Sequence, residues 1–252
     1  MTEAEQPGAP RSLPPAQPVA STRRQLPTST LAWAITAINV AVFIMVELSG
    51  GSTRRATLIL FGANYAPAIA MGEYWRLLTA CFLHIGLPHL LFNTFALLSF
   101  GRLAEAVYGH SRFLAIYLVS GVVGSLLSYL FNRGLSAGAS GAIFGVATAL
   151  AIFHFRNHGA FKLLGGSGLG GIVFVLIANA AFGLSQPGID NWGHAGGALG
   201  GAILAMWLTP RAVLMRDGEG EVVGVRWQPS PPTTWAIVPV VLAIIAITLR
   251  LR

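Results

Sequence analysis

Seven apolar segments divide this chain, at residues 31–48, 87–107, 113–131, 140–156, 169–184, 192–208 and 235–249. At a rise of about 1.5 Å per residue, each approaches the length a helix needs to cross hydrocarbon. In lipid a chain satisfies its backbone polar groups only as helices or as a closed barrel. Continuous apolar runs of this length are helical in character. Only 10% of the 252 residues are charged, against about 25% in a soluble domain. The expected fold is an all-α membrane bundle. The fourth and fifth segments fall furthest short of the usual ~20 residues. Short, glycine-rich spans point to helices packed in protein, or to a locally thinned bilayer.

The intervening stretches set the organisation. Residues 1–29 are rich in Pro, Ala, Ser and Thr, which cannot bury a core, and read as a disordered cytoplasmic tail. The first apolar run follows that tail, so it reads as a retained span and not as a cleaved signal peptide. Pro27-Thr28-Ser29-Thr30 is the expected cap of the first helix. Residues 49–86 are too polar to span and too apolar to float free. They read as a structured interfacial loop, with Tyr74 and Trp75 at headgroup depth. Residues 30–209 form the expected six-helix core, 210–233 a cytoplasmic linker, and 234–252 a seventh span.

The net charge of +7 is scattered between apolar segments, which argues for basic cytoplasmic loops and against nucleic acid as a partner. With the N-terminus inside, the inner segments hold ten of the 16 basic residues and the outer ones six. Arg250 and Arg252 run against that bias. The single cysteine, Cys81, rules out an intrachain disulfide and a cysteine-based metal cluster. Under this topology the second, fourth and sixth spans all run from outside to inside. Their N-terminal ends share one depth, and those ends carry the unusual polar residues: His84, His89 and Asn93; Ser140; and His194.

Ser140 lies in Gly138-Ala139-Ser140-Gly141. One reading is a helix N-cap, for which serine is favoured. The other is a nucleophile: Gly138 and Gly141 clear space for a substrate backbone, and the unpaired first amides of the helix suit a developing oxyanion. A serine needs a base, and His194 lies at the same depth. A histidine within a span is functional by default, the alternative being a ring that snorkels to the interface. Gly196 and Gly200, like Gly197 and Gly201, are spaced for close helix contact. The expected partner is the fourth span, which is rich in Gly and Ala. No acid is expected at that depth. Asp190 reads as a loop residue outside the helix, so the arrangement is a Ser–His dyad, with the imidazole oriented by packing and by Phe144 one turn after Ser140. His84, His89 and Asn93 allow a zinc site, but with no acidic or cysteine ligand the Asn93 amide and the His89 imidazole fit better as donors to a tetrahedral intermediate. His84 has the further reading of a structural histidine that ties the loop down.

Gly138-Ala139-Ser140-Gly141, His194-Ala195-Gly196-Gly197, the run Phe82-x-His84-x4-His89-x3-Asn93 and the pair Trp75-Arg76 together resemble the rhomboid family of intramembrane serine proteases. The resemblance covers about residues 31–208. It implies a six-helix core, extended here by a C-terminal seventh helix. It also implies Ser140 as nucleophile, His194 as base, and Asn93, His89 and the Ser140 amide as oxyanion donors. Trp75, Arg76 and Glu105-x3-Gly109 are implied to be structural. Where the family often has tyrosine, Phe144 keeps the ring without the hydroxyl. The implied reaction is cleavage of transmembrane protein substrates in the lipid bilayer of a cell membrane, with no metal or cofactor. A non-catalytic relative that binds client helices is the competing class; it would lack the serine or the histidine. A channel or transporter would need paired charges at mid-membrane, and these spans are nearly free of them. The fifth span and Gly183–Asn191 are the expected moving gate.

Overall fold

The computed structural model describes residues 29–132, 134–163, 170–174, 177, 189–228 and 231–251, and these are mostly helical. The expected tail lies outside the described residues, as does most of the fifth span and of the loop expected to act as a gate. Among the described residues, four helices are long and apolar enough to cross a bilayer: Thr30–Leu48, Gly86–Tyr108, His110–Phe131 and Pro232–Arg250.

The first of these, α1 (Thr30–Leu48), has no acidic residue in its first turn, and Ser29 makes no side-chain cap. The expected local cap is replaced by a distant one. Glu105 accepts from the backbone N–H of Leu31 through Oε1 and from that of Ala32 through Oε2, both at 2.9 Å. A buried carboxylate thus meets two orphan amides at the positive end of a helix. Its Oε1 also lies 2.6 Å from His110 Nδ1. Glu105 sits on the second crossing, which comprises α5 (Gly86–Ala96), a π-helical turn (Leu97–Gly101) and α6 (Arg102–Tyr108). The chain then reverses at Gly109, whose φ of +78° is one that side chains disfavour. We expect Glu105→Ala to cost about 1–3 kcal/mol, seen as a lower Tm in detergent. Glu105→Gln keeps one acceptor and should lose less.

The centre of the molecule is three helices: α7 (His110–Phe131), α8 (Ser140–Arg156) and, after the short α9 (His158–Leu163), α10 (Asn191–Leu208). At 17 residues α8 is short for a span. Its side chains Ala142, Val146, Ala149, Leu150 and Phe153 are almost wholly enclosed by protein, so lipid does not set its length. The expectation that short spans are protein-packed holds for this helix.

Between α1 and α5 the chain folds into α2 (Arg55–Leu60), α3 (Ala66–Ala70), α4 (Arg76–Thr79) and a 3-10 turn at Ala80–Phe82. The loop is structured, as expected, and Arg76 is its pin. Its guanidinium is buried, donates to the Ile59 carbonyl at 2.6 Å, pairs with Glu73 at 2.7 Å and lies over the Trp75 ring at 4.6 Å. Trp75 and Tyr74 remain about half exposed, as suits interfacial aromatics.

The stretch read only as a linker contains the one hairpin among the described residues. Strands β1 (Ala212–Arg216) and β2 (Val222–Trp227) pair antiparallel, from Ala212 opposite Trp227 to a bulge at Met215/Arg216. Asn157 fastens the hairpin to α8: its Oδ1 accepts from the Ala212 N–H at 2.8 Å and its Nδ2 donates to the Pro210 carbonyl at 3.1 Å. Trp227 packs on Phe153. The last helix, α11 (Ile237–Arg250), buries only the stripe Val241, Ile245 and Leu249.

Candidate active site

The loop before α8 is held at several points. Asn64 and Ser136 exchange backbone hydrogen bonds at 2.9 and 3.0 Å, Asn64 Nδ2 donates to the Ser125 carbonyl at 2.7 Å, and the Gly138 N–H donates to the Ala80 carbonyl at 2.9 Å. Gly138 has φ +146°, and a Cβ there would lie 2.7 Å from the His89 ring. Both the conformation and the space demand glycine. The chain then enters α8 with Ala139, not Ser140, at the N-cap position and with no side-chain cap bond. The capping reading of Ser140 is therefore corrected. The Ser140 Oγ lies 2.9 Å from His194 Nε2.

His194 comes within reach because nothing separates the helices. A methyl on Gly197 would overlap the Gly141 carbonyl, and one on Gly201 would overlap the backbone of Gly145. The second glycine stripe was expected to face the same partner and does not. A Cβ on Gly196 would lie 2.8 Å from the Val123 carbonyl and 2.9 Å from Gly124 Cα, and one on Gly200 would lie 3.1 Å from Ser120 Cα, all on α7. Adjacent residues on a helix point about 100° apart, so two neighbouring glycine stripes serve two different helices. The imidazole stacks on Phe144, with centroids 4.4 Å apart and planes at 10°. Phe144 is the ring expected from the sequence to orient the imidazole, and the two are in face-to-face contact.

From α5, His89 Nδ1 accepts from the Ile85 N–H at 3.4 Å. That assigns the ring proton to Nε2, the edge facing Gly138. Asn93 Nδ2 donates to the His89 carbonyl at 2.9 Å, which leaves its second N–H. His84 is enclosed by protein. It makes no hydrogen bond through either ring nitrogen, is 1% exposed, and packs edge-on against His89 at 5.3 Å. Burial and the neighbouring His89 push its pKa down to about 3, so it stays neutral. Among the described residues no group of three or more His, Cys, Asp or Glu gathers as metal ligands.

A cavity of about 800 Å³ joins these parts. His89, Asn93, Ser140 and His194 line it together with apolar Phe92, Phe100, Ile143 and Phe144. Three separate stretches of the sequence line this one cavity. Gly196, Gly200, Trp75, Arg76 and Glu105 lie away from the cavity, in packing roles. Asp190 lies just before the helix, as the sequence reading has it, but it is not a bystander there. It is the N-cap of α10, accepting from the Gly193 N–H through Oδ1 at 3.0 Å, and it lines the cavity. An aspartate just before a helix is itself a cap signal. Chemically, Ser140 and His194 are positioned for proton transfer from Oγ to Nε2. His89 Nε2, Asn93 Nδ2 and the first amides of α8 supply N–H donors around the same space.

A family model described as the rhomboid domain matches residues 71–211. Over 176 residues the chain is 45% identical to "Rhomboid protease GluP" of Bacillus subtilis (strain 168), covering 70% of this chain and 34% of that protein. It is 38% identical over 155 residues to "RHOMBOID-like protein 6, mitochondrial" of Arabidopsis thaliana, covering 61% of this chain and 50% of that one. To "Rhomboid-like protease 3" of Toxoplasma gondii it is 35% identical over 180 residues, covering 68% and 67%. The chain thus spans half or less of the length of the first two relatives. The family match ends before the hairpin and α11.

Proposed function

The chain belongs to the rhomboid family, and from that premise we propose that it is an intramembrane serine endopeptidase that cleaves transmembrane segments of other membrane proteins with a Ser140–His194 dyad. The observation that carries the reading is the 2.9 Å contact between Ser140 Oγ and His194 Nε2, made by residues 54 apart in sequence. It also weighs against the non-catalytic alternative, since a client-binding protein has no use for that alignment.

In the proposed reaction His194 Nε2 takes the Ser140 proton as Oγ attacks the scissile carbonyl. The oxyanion forms among the Ser140 amide, Asn93 Nδ2 and His89 Nε2, where fixed donors in a low-dielectric site are most effective. His194 returns the proton to the leaving amine, and water then releases the acyl-enzyme. A helical peptide bond is shielded by its own hydrogen bonding, so substrates that unwind at glycine or proline are favoured. The tight setting of Gly138 favours a small residue beside the cut. The chain is an integral membrane protein. We place its N-terminus in the cytoplasm and the cavity toward the outer face, on the loop charges.

The test is active-site labelling. A fluorophosphonate should label the purified, detergent-solubilised chain at Ser140, and Ser140→Ala should abolish the label. Equal labelling of Ser140→Ala and wild type would sink the proposal.

A further inference from the structure

We infer that Asp190 is a positioning residue for the Ser140–His194 pair, its carboxylate supplying the negative charge that faces the His194 imidazolium while that ring holds the serine proton. The inference rests on the dyad reading above and adds an acid to it.

Two buried atoms make the case. When Ser140 donates to Nε2, the ring proton of neutral His194 sits on Nδ1, and that nitrogen is buried without a hydrogen bond. Asp190 Oδ2 is likewise buried without a hydrogen bond. Both groups belong to the first turn of α10. The Asp190 carbonyl accepts from the His194 N–H at 3.1 Å, and Oδ1 is fixed by Gly193. A Cβ on Gly193 would lie 2.8 Å from Oδ2, so glycine at this position lets the carboxylate lie close along the turn.

The charge balance explains why an acid is needed. In the step itself the Oγ–H bond breaks and its proton goes to Nε2, an Oγ electron pair forms the bond to the substrate carbonyl carbon, and the C=O π pair moves onto the carbonyl oxygen. The ring then carries a full positive charge with N–H at both nitrogens. It does so in the first turn of a helix, the end at which the backbone dipole opposes a cation. Around it, Phe144 stacks without charge, and α7 presents Gly124 and Ser125 to the cavity. The titratable groups that face the same space are His89 from α5, with His84 behind it, and Cys81, none of which offers a negative charge to the ring. Asp190 is the one acidic residue among the described residues that line the cavity.

Asp190→Asn separates charge from capping, because the amide oxygen still accepts from the Gly193 N–H. Saturation kinetics of fluorophosphonate labelling should show kinact about tenfold lower, with KI and Tm unchanged. Asp190→Ala should lose the same factor in kinact and also lower Tm. A wild-type kinact in Asp190→Asn overturns this inference alone. A drop in Tm that accounts for the lost labelling gives Asp190 a capping role only and also overturns it. A wild type that takes no label overturns the dyad reading and this inference with it.

Discussion

Replacing His194 with alanine should slow acylation of Ser140 by a fluorophosphonate on the order of 10^3-fold, within the range that a positioned general base contributes. The protein should remain folded, because the imidazole fills part of an open cavity and its loss leaves the glycine contacts of α10 in place. The serine would keep its donors but lose the atom 2.9 Å away that accepts its proton. Phe144→Ala separates presence of the base from its orientation. It leaves the imidazole and removes the ring stacked on it at 4.4 Å, and should cost less, about tenfold, through misalignment. Labelling rates of the two variants beside wild type provide the check. A His194→Ala protein that labels at the wild-type rate would remove histidine from the mechanism.

The second large effect is structural. Gly197→Ala places a methyl on the Gly141 carbonyl. Backbone cannot swing aside as a side chain can, so α8 and α10 must separate. The cost should reach the top of the about 1–3 kcal/mol typical of overpacking, or exceed it. Activity should fall further than stability does, since Gly141 follows Ser140 directly and Gly197 lies one turn after His194. Thermal unfolding in detergent would report the first loss and labelling at Ser140 the second. Gly218→Ala, at the hairpin tip with no heavy atom within 4 Å of the added methyl, should change neither.

What could be read from the sequence followed physical periodicity. Long apolar runs betray membrane helices because lipid leaves the backbone no alternative. Because direction alternates from span to span, Ser140, His194, His89 and Asn93 are expected near one another, and all four line one cavity. Assigning partners was harder. Gly196 and Gly197 carry the same side chain, and only the rotation of α10 decides that one meets α7 and the other α8. Ser140 was ambiguous because a cap and a nucleophile call for the same residue type at a helix start. The first-helix cap could not be found locally, since it is Glu105, more than 70 residues away. The hairpin was legible and overlooked: Asp217-Gly218-Glu219-Gly220 between two valine-bearing runs is a turn signal. Asp190 was passed over for a related reason, being judged by its loop position and not by the helix it begins.

The two glycine stripes of α10 also decide which parts of the protein are free to move. Where backbone rests on backbone there are no side chains to change rotamer and take up slack. Sliding α10 along either neighbour would drive carbonyls into one another. Helices α7, α8 and α10 must therefore travel as one solid block, and the serine and histidine ride on it at a constant separation. The opposite wall of the cavity has no such interlock. It is formed by Pro88, Phe92, Ala96 and Phe100 of the second crossing, whose side chains can yield and whose π-helical turn at Leu97–Gly101 breaks the regular hydrogen-bond ladder. Among the described residues, that wall is the one with side chains free to yield to a bulky guest, while Ser140 and His194 are spared the deformation.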